Sequence, residues 1–332
     1  MKKVSIIVIS YNEKVYLQRA LDSCTCQTWD NTEIIIGDDG SSDGSIEFIK
    51  DFCQKHEKFE VKYFVMDRTT DKQENIIPSI RVSNLLKKGF EIAKGDYLVI
   101  LSGDDYFIDN AKIEKAVNFL SQNPEYSCYI TGFKYSRAYE EDSWPIFQSK
   151  ALYWSGGYLH ISCFVFCRPQ KLLDRFCDDT DLVYSLLPGG KWKFKNELSF
   201  VYYQRNDGIM GQSKENDLII VDVMLYQDIL NGERYYNHST RARFFGPVVQ
   251  LFRRRQILGR PEYRKYLENS KQYGHDLLGI FADYDKSSLF GKTQVLMNIA
   301  NMWLDFTFFK VIRKIIYYLW KAYQLLFLKE KS

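Results

Sequence analysis

Short apolar runs alternate with amphipathic stretches along the first third of the chain. Each apolar run is too short for a buried helix and is bounded by Gly or polar residues, which predicts strands covered on both faces. The stretches between them have the three-to-four-residue spacing of helices. The pattern therefore predicts strands over residues 3–9, 33–37, 61–66 and 95–101, with helices over 14–25, 45–55 and 80–93 between them.

Alternation of strands and helices is typical of an α/β fold with a doubly wound, mostly parallel sheet flanked by helices. The pattern continues with a helix over 112–122, a strand over 128–135, a loop over 136–155, an apolar strand ending at Cys167, a helix from about 177, and a strand and loop over 197–211. Further on it is helical, over 217–230, 238–258, 261–275 and 290 to the end. We therefore predict a domain over 1–212 and a helical C-terminal region over 213–332.

Polar residues gather where three of the predicted strands end. The first strand runs into Ser10-Tyr11-Asn12-Glu13, the second into the acidic turn 38–45, and the fourth into Gly103-Asp104-Asp105. Parallel sheets bind ligands at the carboxyl ends of their strands. Two adjacent carboxylates there repel each other unless a hard divalent cation or ligand hydroxyl groups hold them. The alternative is an acidic turn that caps a helix beginning near Ile108.

Charge is distributed unevenly along the chain. The formal net charge is only +3, but residues 238–332 carry 17 Lys/Arg against 7 Asp/Glu, which predicts an acidic partner surface for this part. The seven Cys lack the spacing of a metal site, so we expect reduced thiols and a cytoplasmic protein. The first apolar run is too short for a signal peptide. No segment reaches 18 uncharged apolar residues, so no membrane-spanning helix is predicted.

Three motifs together resemble one protein family. The run Val4 to Asn12 (VSIIVISYN), the turn 38–45 (DDGSSDGS), and Gly95-Asp96-Tyr97 leading into Gly103-Asp104-Asp105 are similar to family 2 glycosyltransferases of the GT-A fold, as found in bacterial surface-polysaccharide assembly. One such motif would be weak, whereas three in this order are specific. The resemblance covers roughly residues 1–210 and implies a nucleotide-binding half over 1–105 and an acceptor half over 106–212.

The resemblance also implies roles for individual residues. Tyr11 would stack on the base and Asp39 would accept from its imide N–H, with Asp38 close enough to share that task. Mn²⁺ or Mg²⁺ would be held by Asp105 and Asp104, the latter also contacting ribose, although Ser102 stands where many relatives have a further Asp. The implied nucleotide-binding set is Ile9, Tyr11, Asn12, Asp38, Asp39, Arg81 and Asp104, and Arg68, Lys72 and Arg205 are candidate diphosphate contacts. For Arg68, Lys72 and Arg81 the alternative is a solvated loop.

The catalytic base is expected in the acidic segment Cys177 to Leu182. Inverting transfer needs a carboxylate that takes the proton of the acceptor hydroxyl group. The family pattern selects Asp179, with Asp181 and Asp178 as alternatives. The competing interpretation is helix capping, because acidic residues in a first turn interact favourably with the helix dipole.

The end of the chain, about 302–328, has the pattern of a basic amphipathic helix. Its cations, at Lys310, Arg313, Lys314 and Lys321, interrupt every apolar run, which favours a helix lying in a membrane interface over one that crosses the bilayer. Packing on the catalytic domain or on a second copy of the chain is the alternative. We therefore expect a peripheral protein on the inner face of the cell membrane.

The expected activity is inverting transfer of a sugar from a nucleotide-diphosphate sugar, with UDP as the expected nucleotide. The acceptor would be a saccharide, carried on a polyprenyl diphosphate lipid, in the synthesis of capsule, O-antigen or exopolysaccharide. The alternative is a catalytically inactive nucleotide-sugar-binding protein, which the serine at position 102 leaves open. No nucleic-acid-binding motif is present, so no nucleic-acid partner is expected.

Overall fold

A computed structural model describes residues 1–56, 59–68, 78–137, 143–148, 160–169, 190–205 and 208. The chain divides into two units, Met1–Tyr235 and Tyr236–Ser332, and all of these residues belong to the first. The boundary predicted near residue 212, the helices predicted beyond it and the helix predicted from about 177 lie outside the described residues.

Strands and helices alternate through the first unit. The strands are β1 Val4–Ser10, β2 Thr32–Asp38, β3 Glu60–Val65, β4 Tyr97–Ser102, β5 Tyr106–Phe107, β6 Tyr126–Arg137, β7 Ser143–Ile146, β8 Phe164–Cys167 and β9 Lys191–Gln204. The helices are α1 Lys14–Thr25, α2 Ser45–Lys55, α3 Pro78–Ile92 and α4 Lys112–Gln122, with a short 3₁₀ helix at Ile161–Cys163. Within the described residues, no helix combines the length and the apolar character that crossing a bilayer requires.

The described strands form one sheet in the order β3-β2-β1-β4-β8-β6-β9-β5, and β7 pairs with β6 outside this path. Strands β3, β2, β1 and β4 are parallel. Antiparallel pairs occur only from β8 onward, where β8 joins β4 and β6, β5 joins β9, and β7 joins β6. The predicted α/β fold, with its doubly wound and mainly parallel sheet, is confirmed.

The centre of the sheet is buried because its strands are covered on both faces. The side chains of Ile6, Ile7 and Val8 on β1 have no solvent exposure, and those of Leu98 and Val99 on β4 have none either. Helix α1 contributes a buried apolar stripe at the i, i+3 and i+4 spacing, formed by Leu17, Ala20, Leu21 and Cys24.

The order of the strands reverses between β1 and β4. The chain moves outward from β1 to β2 and β3 and then returns through α3 to β4, on the other side of β1. The register places Ile9 opposite Ser102 and Ser10 opposite Asp38, so the three strands end at one edge. This edge is the topological switch point, where open α/β sheets bind their ligands.

Three local predictions need correction. Helix α4 begins only at Lys112, with Ala111 as its N-cap, so the Asp104-Asp105 turn does not cap a helix. Part of the predicted loop 136–155 is strand β7, because the chain turns back and pairs with β6. The predicted strand at 197 begins earlier, at Lys191, since β9 pairs along β6 over most of its length.

Candidate active site

The β1–α1 turn and the turn after β2 are held together by side-chain to backbone hydrogen bonds. Asn12 has a positive φ of 51°. Its amide oxygen accepts from the Ser42 N–H at 2.9 Å, and its N–H donates to Ser41 Oγ at 2.8 Å. The Asp38 carboxylate is buried and accepts from both the N–H and the hydroxyl group of Ser41, each at 2.7 Å. Asp38 thus stabilises the turn, and its predicted contact with a base stays a prediction.

Asp39 lies next to this turn and is paired with two arginines. Arg81 donates from Nε and Nη2 to the two carboxylate oxygens, at 2.7 and 2.8 Å. The Arg68 guanidinium lies 3.2 Å from Oδ2 and covers the Tyr11 ring, 3.8 Å from its centroid. Tyr11 keeps 37 % of its surface exposed. The structure therefore brings together Tyr11 and Asp39, and it pairs both Arg81, which is buried, and Arg68, which is half-buried, with Asp39.

The Gly103-Asp105 turn follows β4 and lies directly beside β1. The Gly103 N–H donates to the carbonyl oxygen of Ile9 at 2.8 Å, which gives the predicted residue Ile9 a backbone role here. Asp105 is fully buried, and its Oδ1 accepts from the Tyr203 N–H at 2.9 Å. Its Oδ2 has no hydrogen-bond partner among the described residues and lies 3.9 Å from Nε2 of His160.

A single guanidinium group joins the two turns. Arg205, just after β9, places Nε 3.1 Å from Asp104 Oδ2 and donates from Nη2 to Glu13 Oε1 at 3.2 Å. Its Nη1 donates to the carbonyl oxygen of Asn12 at 3.4 Å. The other Glu13 oxygen packs against Gly103, where a Cβ atom would lie only 2.4 Å from it. The structure pairs Arg205 with two carboxylates, and its predicted contact with the diphosphate stays a prediction.

Three carboxyl groups, those of Glu13, Asp104 and Asp105, share this shielded space. Burial raises the pKa of Glu13 and of Asp105 well above the usual range, and the Asp104 charge adds to both shifts. Burial also raises the pKa of Asp104, and Arg205 opposes the rise. Ionising all three carboxyl groups would therefore place more negative charge in this space than Arg205 alone compensates.

This donor set fits a divalent cation that takes its remaining ligands from a phosphate group and water. Asp105 Oδ2 is a buried carboxylate oxygen that accepts no hydrogen bond from any described residue, and Asp104 is the next residue in the chain. The described residues contain no cluster of three or more His, Cys, Asp or Glu side chains arranged as ligands. Mg²⁺ is commonly bound by one or two carboxylates together with substrate phosphates, which matches such a partial site.

His160 lies beside Asp105 in the carboxylate cluster. Its ring packs against Phe133, Phe200 and Tyr202, with centroid distances of 5.5, 5.0 and 4.6 Å. Burial lowers the His160 pKa to about 3, and the charge of Lys112 acts in the same direction. The Nζ of Lys112 donates to the carbonyl oxygen of Ser162, and burial lowers its pKa to about 8.

Sequence reasoning missed several residues of the site. Glu13 could have been found, since it is the last residue of the quoted turn Ser10-Tyr11-Asn12-Glu13 after β1. His160 had only the signal of a polar residue after two glycines, and Arg19, whose Nη2 donates to the carbonyl oxygen of Asp104 at 3.2 Å, had none. The predicted base Asp179, its alternatives Asp181 and Asp178, and Lys72 lie outside the described residues.

Comparison with known proteins decides the family. The sequence profile described as Glycosyl transferase family 2 matches residues 5–176, which is more than half of the chain. The chain belongs to glycosyl transferase family 2. This confirms the resemblance carried by the three motifs, which all lie within or next to the matched range.

Relatives of this family 2 chain are similar over part of their length. An uncharacterized glycosyltransferase of Haemophilus influenzae is 37 % identical over 123 residues, which cover 37 % of this chain and 44 % of that protein. A hyaluronan synthase of Pasteurella multocida is 26 % identical over 254 residues, covering 71 % of this chain and 24 % of that protein. The chain thus spans less than half the length of these curated relatives.

A solved structure shares the fold. S. aureus TarS 1-349, crystallised in complex with UDP-GlcNAc, superposes with a TM-score of 0.52 over 90 % of this chain and 80 % of that one, at 14 % sequence identity. At this identity the likeness concerns the fold alone, and it agrees with the predicted GT-A architecture.

Proposed function

We propose that this family 2 chain transfers a sugar from a UDP-sugar to a saccharide acceptor, with inversion and with the help of a divalent cation. One observation carries the proposal. Three solvent-shielded carboxyl groups converge at the switch point between β1 and β4, beside an exposed tyrosine and an oriented aspartate. This combination offers a site for the nucleobase, the diphosphate and a cation at one edge of the sheet.

The nucleotide would bind on the side of Tyr11 and Asp39. An ionised carboxylate has about four lone-pair sites, and the two arginines use three of them on Asp39. Among the contacts of the described residues, one site is therefore left for an N–H donor such as the imide group of uracil. Arg81 holds the carboxylate in a bidentate pair, so its orientation is set before the nucleotide arrives.

The cation, Mn²⁺ or Mg²⁺, would be held by Asp105 and Asp104. When bound, it supplies positive charge to the diphosphate leaving group. The chain's own residues prepare this position: the Tyr203 N–H orients Asp105, and Arg205 compensates the charge of Asp104 and Glu13. Lys72, Arg68 and Arg205 remain candidates for contacts with the diphosphate.

The base proposed for the transfer step is Asp179, with Asp181 and Asp178 as alternatives. Its carboxylate takes the proton of an acceptor hydroxyl group as that oxygen forms a bond to the anomeric carbon. On the opposite face, the bond from the anomeric carbon to the diphosphate oxygen breaks, and the diphosphate leaves with the electron pair. Attack and departure on opposite faces invert the anomeric configuration.

The acceptor we propose is a saccharide on a polyprenyl diphosphate carrier, used in surface-polysaccharide synthesis. Two observations support this choice. The region 238–332 is basic, which suits an anionic membrane surface that contains such carriers. A relative named hyaluronan synthase matches over 71 % of this chain.

The decisive experiment is a screen of UDP-sugars for hydrolysis and transfer by the purified full chain, with Mn²⁺ or with EDTA. We expect one donor to be turned over in the presence of Mn²⁺ and to raise the melting temperature. A chain that is stabilised by a UDP-sugar but never consumes it, with any acceptor, would instead be the inactive binding protein. A chain that binds no nucleotide sugar would contradict the proposal.

A further inference from the structure

The two carboxylate oxygens of Asp105 have different surroundings. Oδ1 accepts a hydrogen bond from the Tyr203 N–H at 2.9 Å. Oδ2 is buried, has no hydrogen-bond partner among the described residues and lies 3.9 Å from His160 Nε2. Leaving a buried carboxylate oxygen unsatisfied costs free energy. This oxygen therefore needs a cation, a hydrogen-bond donor or both.

The backbone around His160 decides which of its nitrogens carries a proton. His160 is the N-cap of the 3₁₀ helix, and its Nδ1 accepts from the Ser162 N–H at 3.3 Å. An imidazole nitrogen that accepts a hydrogen bond is unprotonated, so the ring is neutral and its proton sits on Nε2. Nε2 thus faces Asp105 as an N–H donor and has no lone pair for a metal ion.

The ring is also held in place. Phe133, Phe200 and Tyr202 surround it, and it is 7 % exposed. The Lys112 Nζ donates to the carbonyl oxygen of Ser162 and so fixes the segment that receives the Nδ1 bond. A rotation of the ring would break the cap and displace three aromatic side chains.

We propose that His160 is a positioning residue for Asp105. Its Nε2–H donates to Asp105 Oδ2 and, with the Tyr203 N–H on Oδ1, sets the orientation in which the carboxylate meets the divalent cation. The inference rests on the proposed function. The 3.9 Å separation must shorten by about 1 Å to become a hydrogen bond. Such bonds are often long before ligands bind, and donors behind a metal-binding carboxylate tune its affinity.

Two substitutions of His160 test separately its role as N-cap of the 3₁₀ helix and its role as N–H donor to Asp105. In His160→Asn the carboxamide oxygen still accepts from the Ser162 N–H, but the side chain is too short to reach Asp105. In His160→Gln the amide NH₂ reaches the position of Nε2. A matched control is His56→Asn, the same change at the far end of α2, where His56 packs on Phe52.

The measurement is the Mn²⁺ affinity of the full chain with UDP, read from the electron paramagnetic resonance signal of free Mn²⁺. We expect His160→Asn to weaken Mn²⁺ binding about tenfold or more, and His160→Gln to recover part of the loss. UDP affinity without metal should stay within twofold of wild type in both variants. His56→Asn should bind Mn²⁺ as wild type does.

Electron spin echo spectra of Mn²⁺ on the wild-type chain test the assignment without any variant. We expect no coupling to a directly bound imidazole nitrogen, and a strong coupling would overturn the inference by making His160 a ligand. Equal Mn²⁺ affinity in wild type and His160→Asn would overturn it as well. A wild-type chain that binds no Mn²⁺ with UDP would refute the metal part of the proposed function, and with it this inference.

Discussion

At Asp105, burial and the neighbouring Asp104 charge act in the same direction. Both raise its pKa, so the ionised carboxylate is unfavourable unless a cation offsets it. Because the charge of Asp105 lowers the stability of the fold but is needed in the proposed site, a substitution here should affect stability and activity in opposite directions.

We expect Asp105→Asn to lower transfer at least 100-fold while keeping or raising the melting temperature of the nucleotide-free chain. The asparagine oxygen can still accept from the Tyr203 N–H, and the unfavourable charge is gone. Added Mn²⁺ should no longer stabilise the UDP complex in a thermal-shift measurement. Asp30→Asn, at an exposed position, serves as the control, and wild-type activity that EDTA does not diminish would refute the role of the metal.

We expect Asp179→Asn to abolish transfer and to leave UDP affinity nearly unchanged. The proposed base acts on the incoming hydroxyl group and not on the nucleotide, so kcat falls whereas the binding of UDP does not. Initial rates and UDP titration calorimetry measure the two effects separately. If Asp181→Asn or Asp178→Asn is inactive instead, the base moves to that residue; if all three variants are active, the mechanism is wrong.

Individual residues were predictable where a motif singles them out. Tyr11, Asp39, Asp104 and Asp105 follow strands whose ends the apolar pattern defines, and the structure brings them to one edge. Their partners were not predictable in the same way. The bidentate pair of Arg81 with Asp39 could not be foreseen, because side-chain pairing depends on which helix face lies against the turn, and the nucleotide contact predicted for Arg81 stays a prediction.

At the scale of elements, the end of β9 is tied to the turn after β1. Arg205 and Glu13 are 192 positions apart in the sequence, and both side chains are less than a tenth exposed. Because Asp104 shares the same guanidinium, the pair connects the first and the last described strands through the carboxylate cluster.

We expect Arg205→Gln to lower the free energy of unfolding by about 3 kcal/mol, because it leaves two shielded carboxylates without their counter-charge. Adding Glu13→Gln to the same chain removes one of those charges and should restore part of the loss. Urea unfolding of the wild type, both single variants and the double variant gives the coupling energy, expected at about 1–3 kcal/mol. Additive effects would show that the two side chains do not interact.

We expect Gly103→Ala to lower the free energy of unfolding by about 1–3 kcal/mol. The new Cβ would lie 2.4 Å from Glu13 Oε2 and 3.3 Å from the Ile9 carbonyl oxygen, so the turn must move. The matched control is Gly208→Ala, where no atom of the described residues lies closer than 3.6 Å to the added Cβ. Similar melting temperatures for the two variants would contradict the close contact with Glu13.

At the scale of the whole molecule, charge separates the two parts of the sequence. Residues 238–332 hold 17 of the 45 basic side chains and only 7 of the 42 acidic ones, although the chain as a whole is nearly neutral. Attraction to an anionic lipid surface is the simplest use of such a distribution, since each cation near that surface adds about 1 kcal/mol.

We expect the full chain to bind vesicles that contain phosphatidylglycerol more tightly than vesicles of phosphatidylcholine. High salt should release only part of it, because salt screens the cations but leaves apolar insertion intact. Co-sedimentation measures both. A variant with Gln at Lys310, Arg313, Lys314 and Lys321 should lose the preference for anionic lipid, whereas Gln at the exposed Lys50, Lys55, Lys88 and Lys94 should not. If the wild type does not sediment with anionic vesicles, the final segment instead packs on the catalytic domain or on a second copy of the chain.

The sequence by itself determined the order of strands and helices in the first half, the α/β class and the turns that carry Tyr11, Asp39, Asp104 and Asp105. These features are local, because apolar periodicity and turn chemistry act over a few neighbouring residues. The tertiary structure decided how those side chains are paired and charged. Arg205 meets Glu13, and His160 faces Asp105, only because the sheet continues beyond β4 in the order β8, β6, β9. No periodicity encodes a contact between residues so far apart, since the proximity exists only once the strands are aligned.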